Sequence, residues 1–190
     1  EIPQKKGTIR FEVDEPPRAD TSLEALSKLP TPFKAGGTVT AGNAPGLSDG
    51  AAAVVVMDSG TAKEHGIEPL ARITGYASAG IEPKWIFAAP ALAVRKLMAN
   101  TGASIGDYDL IEVNEAFSAQ ILANGKELKW DWERVNVNGG GVAMGHPIGA
   151  SGARVLVTLI YALRQRGLKK GLAGLCLGGG GAVAMSIELM

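Results

Sequence analysis

One cysteine, two histidines and an aromatic share of 5% are what this chain of 190 residues has least of. A single thiol excludes an internal disulfide framework and fits a reducing, cytoplasmic setting. One cysteine with two histidines makes no convincing zinc site, so no metal is expected. Lysine and arginine total 19 and aspartate and glutamate 19, a formal net charge of zero, so nothing favours nucleic acid or an anionic membrane surface. No apolar run approaches the ~20 residues of a membrane span. A phosphate-cradling P-loop is missing, and the glycine runs do not match the G-x-G-x-x-G dinucleotide spacing, which argues against a nucleotide-binding oxidoreductase. The chain opens on EIPQKK, with neither methionine nor signal sequence, and reads as the continuation of something longer.

What is present is apolar and small. Hydrophobic residues make up 46% and glycines number 26, a composition that fits tightly packed α/β layers rather than disorder. The segment from Glu1 to Thr31 is polar and proline-punctuated. In it Ile9–Val13 reads as a short strand, and Ser22–Leu29 as a helix capped by Thr21 or Ser22. Thr38–Asp58 begins with turn residues and ends in AAAVVVM, a continuous apolar run of the kind found in a strand buried on both faces. A helix is expected over Ser59–His65, with His65 facing solvent, and a strand over Arg72–Ala77. Ala89–Asn100 is an amphipathic helix stopped by Gly102, and Asp109–Val113 a strand. A helix running to about Leu128 is expected to open at NEAF, Asn114–Phe117. Val135–Val137 reads as a strand edge and Ser151–Arg166 as a helix stopped by Gly167. Leu172–Leu177 and Ala182–Leu189 read as two buried strands around the glycines of Gly178–Gly181. This order predicts a layered α/β domain with a mixed sheet.

The chemistry-bearing residues gather beside the glycine-rich turns. His146 stands between Gly145 and Pro147. A histidine there is either a structural side chain bonded to backbone or a proton shuttle that can also donate a hydrogen bond to a carbonyl oxygen. Cys176 precedes Gly178. A buried cysteine is either a small hydrophobe or, beside a run of backbone N–H groups, a functional thiol whose pKa of ~8.5 an adjacent histidine could tune toward neutrality. Asn114, at the head of NEAF, reads as a helix cap or a ligand-holding amide. Glu115 reads as electrostatic support for the helix start, and Phe117 as core or channel wall.

GHPIGASGAR, NEAFSAQ and GLCLGGGGAVAM together, in order and along the whole length, resemble the thiolase family. VNVNGG and GHPIGASGAR look more like its biosynthetic acetoacetyl-CoA branch than its degradative 3-ketoacyl-CoA branch. The resemblance implies the thiolase fold, layered αβαβα with mixed sheets, of which this chain supplies the C-terminal half. Residues 1–40 would end the loop domain that covers coenzyme A, 41–58 would be the last strand region of the N-terminal domain, and 59–190 the C-terminal domain. Family chains are about twice as long, and the cysteine that becomes acylated lies in the half absent here.

The implied reaction joins two acetyl-CoA into acetoacetyl-CoA and CoA, reversibly by thiolysis, with no cofactor beyond the coenzyme A thioester. By the resemblance His146 activates the nucleophilic cysteine. Cys176 moves the Cα proton, work that typically contributes ~10²–10⁴-fold. Asn114 holds a water that forms one oxyanion hole with His146. The Gly178 N–H is a donor of another, such donors being worth ~3–4 kcal/mol each. Coenzyme A would meet Arg18 at its nucleotide end and Phe33, Ala41, Ala44, Leu47, Ala116 and Phe117 along its pantetheine arm. Ala25 and Pro45 stand where serine is usual, so two hydroxyls are lost. The implied partners are an N-terminal half carrying the nucleophile and further copies in a homodimer or homotetramer. A degradative 3-ketoacyl-CoA thiolase and a non-catalytic coenzyme-binding half remain alternatives. A Cys176–His146 hydrolase dyad finds no oriented third residue.

Overall fold

Gly7, at φ 122°, closes the first turn of the chain, between strands β1 (Ile2–Gln4) and β2 (Gly7–Ile9), which pair antiparallel. The structure, a computed structural model, describes residues 1–14 and 16–190. The strand expected over Ile9–Val13 is thus displaced toward the N-terminus. The lysine-containing turn gives Ile2–Gln4 and Gly7–Ile9 one another as partners, whereas residues 10–13 pair with no strand among the described residues. Helix α1 (Leu23–Ser27) is capped as expected, the Ser22 hydroxyl accepting from the Ala25 N–H at 3.1 Å. A single 3₁₀ turn, Ala41–Asn43, is held by reciprocal bonds. Thr40 Oγ1 accepts from Gly42 N–H at 3.1 Å, and Asn43 Oδ1 accepts from Thr40 N–H at 2.9 Å.

The apolar run Ala51–Met57 forms no strand and is not buried. Val55 and Val56 are 85% and 68% exposed. The residues suit a strand, but a strand needs an edge to pair with, and within the described residues this run has none. Helix α2 (Ser59–Glu64) follows, capped by Asp58, with His65 exposed at its C-terminus.

The remaining elements form one sandwich. They are β3 (Ala71–Gly80), α3 (Ala89–Thr101), β4 (Leu110–Val113), α4 (Ser118–Leu128), α5 (Gly141–Met144), α6 (Ser151–Arg166), β5 (Lys170–Leu177) and β6 (Gly181–Leu189). The sheet order is β3-β6-β5-β4. β6 runs antiparallel to both its neighbours and β4 parallel to β5, so the sheet is mixed, as expected. The two-residue period of a strand sends alternate side chains to opposite faces. Ile111 and Val113 join Val94 and Leu97 of α3 and Ile121 of α4 in one core, while Leu110 packs with Val155, Leu159 and Leu163 of α6 in the other. Leu97, Leu159, Leu163 and Leu172 are fully buried, each worth ~1.5–3 kcal/mol of transfer free energy. α3 and α6 end at Gly102 (φ 71°) and Gly167 (φ 65°), left-handed caps that glycine adopts without a Cβ clash. Among the described residues no helix is long and apolar enough to cross a membrane.

Two local expectations change. α4 starts at Ser118, not Asn114. The Asn114 N–H donates to Gly174 O at 2.9 Å, continuing the sheet, and this holds NEAF extended. Around Val135–Val137 there are only single bridges, because Asn136 adopts φ 47° and breaks the extended run.

Candidate active site

Where β4 ends, its last bonds to β5 carry the chain directly into Asn114, which is fully buried. The C-terminal ends of parallel strands are where open α/β sheets expose ligand-binding loops. Gly174, which accepts from Asn114, lies two residues before Cys176 on β5, roughly 7 Å along the strand. The glycine turn Gly178–Gly180 follows. Gly178 is exposed, and a Cβ there would meet nothing within 4 Å, so its backbone is open to an approaching group.

His146 arrives from the other side. The four residues of α5 end at Gly145, whose φ of 96° turns the chain into His146. Its imidazole makes two contacts. Nδ1 lies 2.6 Å from Ser151 Oγ, and Nε2 lies 3.3 Å from Asn114 Nδ2. Ser151 Oγ donates its own proton to Pro147 O at 3.0 Å, so it accepts from His146 Nδ1–H. This network assigns the neutral tautomer with its lone pair on Nε2, toward which Asn114 donates. Asn114 Oδ1 is buried and has no partner among the described residues, an acceptor beside the imidazole. Burial, and then the Arg154 guanidinium, hold the His146 pKa below its ordinary value. A neutral imidazole with an unprotonated Nε2 is what a general base requires. For Cys176 the expected tuning toward neutrality is not found, since burial pushes the thiol up.

The first half of the chain closes on this histidine. Leu47 bridges His146, a Cβ on Gly50 would lie 2.7 Å from Pro147 Cγ, and a Cβ on Gly145 would strike Ser48. Ala41 and Ala44 flank the capped turn just upstream. Phe33 meets the Phe117 ring edge-on at 6.1 Å between centroids, and Phe87 meets the same ring at 5.1 Å. The structure therefore brings Leu47 to His146 and Phe33 to Phe117, whereas Arg18 is exposed on the segment between β2 and α1. Ala116 donates its N–H to Gln120 Oε1 at 3.0 Å.

Three contributors are not evident from sequence alone. Ser151 looks like the start of α6, yet it orients His146, five residues away. Phe87 sits in an unremarkable apolar stretch and completes the aromatic cluster. Glu115 accepts from Asn136 and from the Val142 N–H, joining two loops. The recurrence of small polar residues beside glycines is the one signal that could have flagged Ser151.

Comparison with known proteins agrees with the motifs. The family model for the thiolase C-terminal domain matches residues 67–189, and that for the thiolase N-terminal domain matches residues 1–60. An acetyl-CoA acetyltransferase of Pseudomonas aeruginosa is 54% identical over 98% of this chain and 48% of its own length. One of Escherichia coli is 53% identical over 97% of this chain and 47% of its own. The crystal structure of the Bacillus anthracis acetyl-CoA acetyltransferase superposes with a TM-score of 0.92 at 52% identity, covering 100% of this chain and 48% of that one. Human mitochondrial 3-ketoacyl-CoA thiolase superposes at 0.86 and 40% identity, over 98% of this chain and 47% of that one. The chain spans about half the length of the curated relatives it matches.

Proposed function

The chain belongs to the thiolase family, and we propose that it is the acid/base half of an acetyl-CoA C-acetyltransferase. The observation that carries this reading is the Ser151–His146–Asn114 relay. It leaves a neutral imidazole lone pair beside a buried, unpartnered amide oxygen, at the end of the strand next to Cys176. The acetyl-CoA acetyltransferases that resemble the chain at 52–54% identity support the same reading.

In this reading a cysteine outside the chain takes the acetyl group of one acetyl-CoA, His146 Nε2 accepts its proton, and the CoA thiolate leaves with the proton of Cys176. The Cys176 thiolate so formed removes a Cα proton from a second acetyl-CoA, and the enolate attacks the acyl-enzyme to give acetoacetyl-CoA, the released cysteine taking its proton back from His146. The reverse is thiolytic cleavage. Asn114 Oδ1 supports a water that, with His146, donates to one thioester oxygen, and the Gly178 N–H donates to the other. Burial of Cys176 keeps it protonated, the form that returns the proton in cleavage. Coenzyme A runs past Leu47, Ala41 and Ala44 toward the Phe33–Phe117 pair and Ala116, with Arg18 at its nucleotide end. No metal and no further cofactor enters. Residues 1–40 are read as the end of the coenzyme-covering loop domain, 41–58 as N-terminal domain and 59–190 as C-terminal domain.

The proposed partner is the N-terminal half that bears the nucleophile. An open groove of about 520 Å³ beside α6 is lined by Val54, Tyr76, Leu156, Val183 and Met185, and Tyr76 is 76% exposed. Such an apolar surface is costly to leave in water. A cytoplasmic homodimer or homotetramer completes the reading.

Intact mass, solution size and acetoacetyl-CoA thiolysis measured on one purified sample test it. CoA-dependent cleavage by a sample that holds a nucleophile-bearing half, whether as a second polypeptide or as more of the same chain, is the expected result. A lone chain that binds coenzyme A but stays inactive when the nucleophile half is supplied would reduce it to a binding module. A second expectation concerns pH. His146 must be neutral to act as base, and its pKa is lowered from 6.5, so the acid limb of kcat/KM falls with a midpoint below 6.5. An acid limb centred above that value would assign the limb to another group.

A further inference from the structure

The Glu115 carboxylate bonds to two loops of the site at once. Oε1 accepts from Asn136 Nδ2 at 2.9 Å, and Oε2 accepts from the Val142 N–H at 3.1 Å. Val142 lies in the four-residue α5 that delivers His146. Glu115 itself follows Asn114 directly, so both partners of the Asn114–His146 contact are tethered to one side chain.

Asn136 completes the clamp. It holds φ 47°, a left-handed conformation unusual for any residue but glycine. Its side chain acts as one more rung of sheet beside β4: Oδ1 accepts from Val113 N–H at 2.8 Å, and Nδ2 donates to Val113 O at 2.9 Å. Its backbone N–H donates to Ile111 O at 2.9 Å. The glycines behind it leave room for this arrangement. A Cβ at Gly140 would collide with the Glu115 carboxylate, and one at Gly141 would lie 2.9 Å from Glu115 O.

From this geometry we infer that Glu115 and Asn136 are positioning residues, which fix the approach of His146 to Asn114 and thereby act on the reaction step rather than on coenzyme A binding. The inference rests on the proposed acetyltransferase reading for its kinetic consequence, but the clamp itself is independent of it. A carboxylate can accept both N–H bonds at once. The amide of Glu115→Gln must present an NH₂ to one of the two donors, so one bond is lost while size is kept.

The test uses Glu115→Gln and Asn136→Gly, the latter keeping the left-handed backbone and removing the amide. The sample is the purified chain together with the nucleophile-bearing half where it co-purifies. In each variant kcat per active site, counted by the amplitude of acyl-enzyme formation from acetyl-CoA, is expected to fall about tenfold with KM within about twofold of the parent. In the same variants the NMR titration midpoint of His146 is expected to rise, because Asn114 no longer donates to the neutral ring. Exposed His65 serves as the internal reference. An unchanged His146 midpoint overturns the inference whether or not the assembly turns over. An unchanged kcat per site with only a lower melting temperature also overturns it, since that is a purely structural role. A parent that stays inactive when the nucleophile-bearing half is supplied, with a shifted midpoint in the variants, upholds the clamp and sinks the acetyltransferase reading instead.

Discussion

His146→Ala is expected to lower acetoacetyl-CoA thiolysis by ~10²–10⁴-fold, the typical contribution of a positioned general base. The expectation follows from three features that act together on one ring. Ser151 holds Nδ1 protonated, because its own hydrogen is committed to Pro147 O, and so the lone pair is on Nε2. Asn114 donates to that lone pair and fixes the plane of the ring. Burial and Arg154 keep the ring neutral in the pH range where a base is needed. In the proposed reaction alanine removes the base and one oxyanion donor at once, and it leaves both polar ends of the Asn114 side chain unsatisfied. The residues proposed to meet coenzyme A are unchanged, so the loss belongs in kcat with KM little moved. Steady-state cleavage rates at fixed, saturating CoA measure it. A variant keeping more than about a tenth of parental kcat would remove His146 from the chemistry.

Helices that carry their own pattern are legible in the amino-acid sequence. The leucine and valine spacing of Ser151–Arg166 marks α6 to the residue, and glycines stop it and α3 where expected. Strand identity is less secure, because it depends on neighbours. Ala51–Met57 has the composition of a buried strand and yet lies exposed without an edge to join. NEAF has the composition of a helix start. The bond from Asn114 to Gly174 keeps it extended, and four residues by themselves cannot signal a partner sixty positions away. The same limit applies to the site. His146 and Asn114 stand out as residue types beside glycines and within recognisable motifs. Ser151 and Glu115 look like ordinary helix-start residues, and only their side-chain bonds reveal what they hold. Cys176 stands out by being alone, but its burial, and hence the upward push on its thiol, is a property of the folded sheet.

Arg154→Ala should cost about 1.4 kcal/mol more stability at pH ~8 than at pH ~5, because pH ~8 lies one unit above the Glu112 pKa of about 7. Glu112 on β4 faces α6 and is 1% exposed. Arg154 on α6 meets it at 2.9 Å through Nη1, while its Nη2 is buried without a partner. Burial pushes the Glu112 carboxyl from 4.5 up to about 7, with Arg154 pulling the other way. A carboxyl raised on folding binds its proton more tightly in the native state. Its contribution is therefore fully present below 4.5 and is lost as pH rises through about 7. At pH ~5 Glu112 is neutral in the parent, and little charge depends on Arg154. At pH ~8 the parent carries an ion pair, and the variant must either bury a lone carboxylate or hold a proton against the solution. Urea unfolding at the two pH values separates these cases, and an equal loss at both would mean that Arg154 acts by packing alone. Adding Glu112→Gln to Arg154→Ala should recover most of the high-pH loss, because no charge is then left buried. The pair matters beyond stability, because α6 carries both Arg154 and the Ser151 that orients His146. An α6 loosened at its second turn would also loosen the ring on which the proposed proton transfer depends.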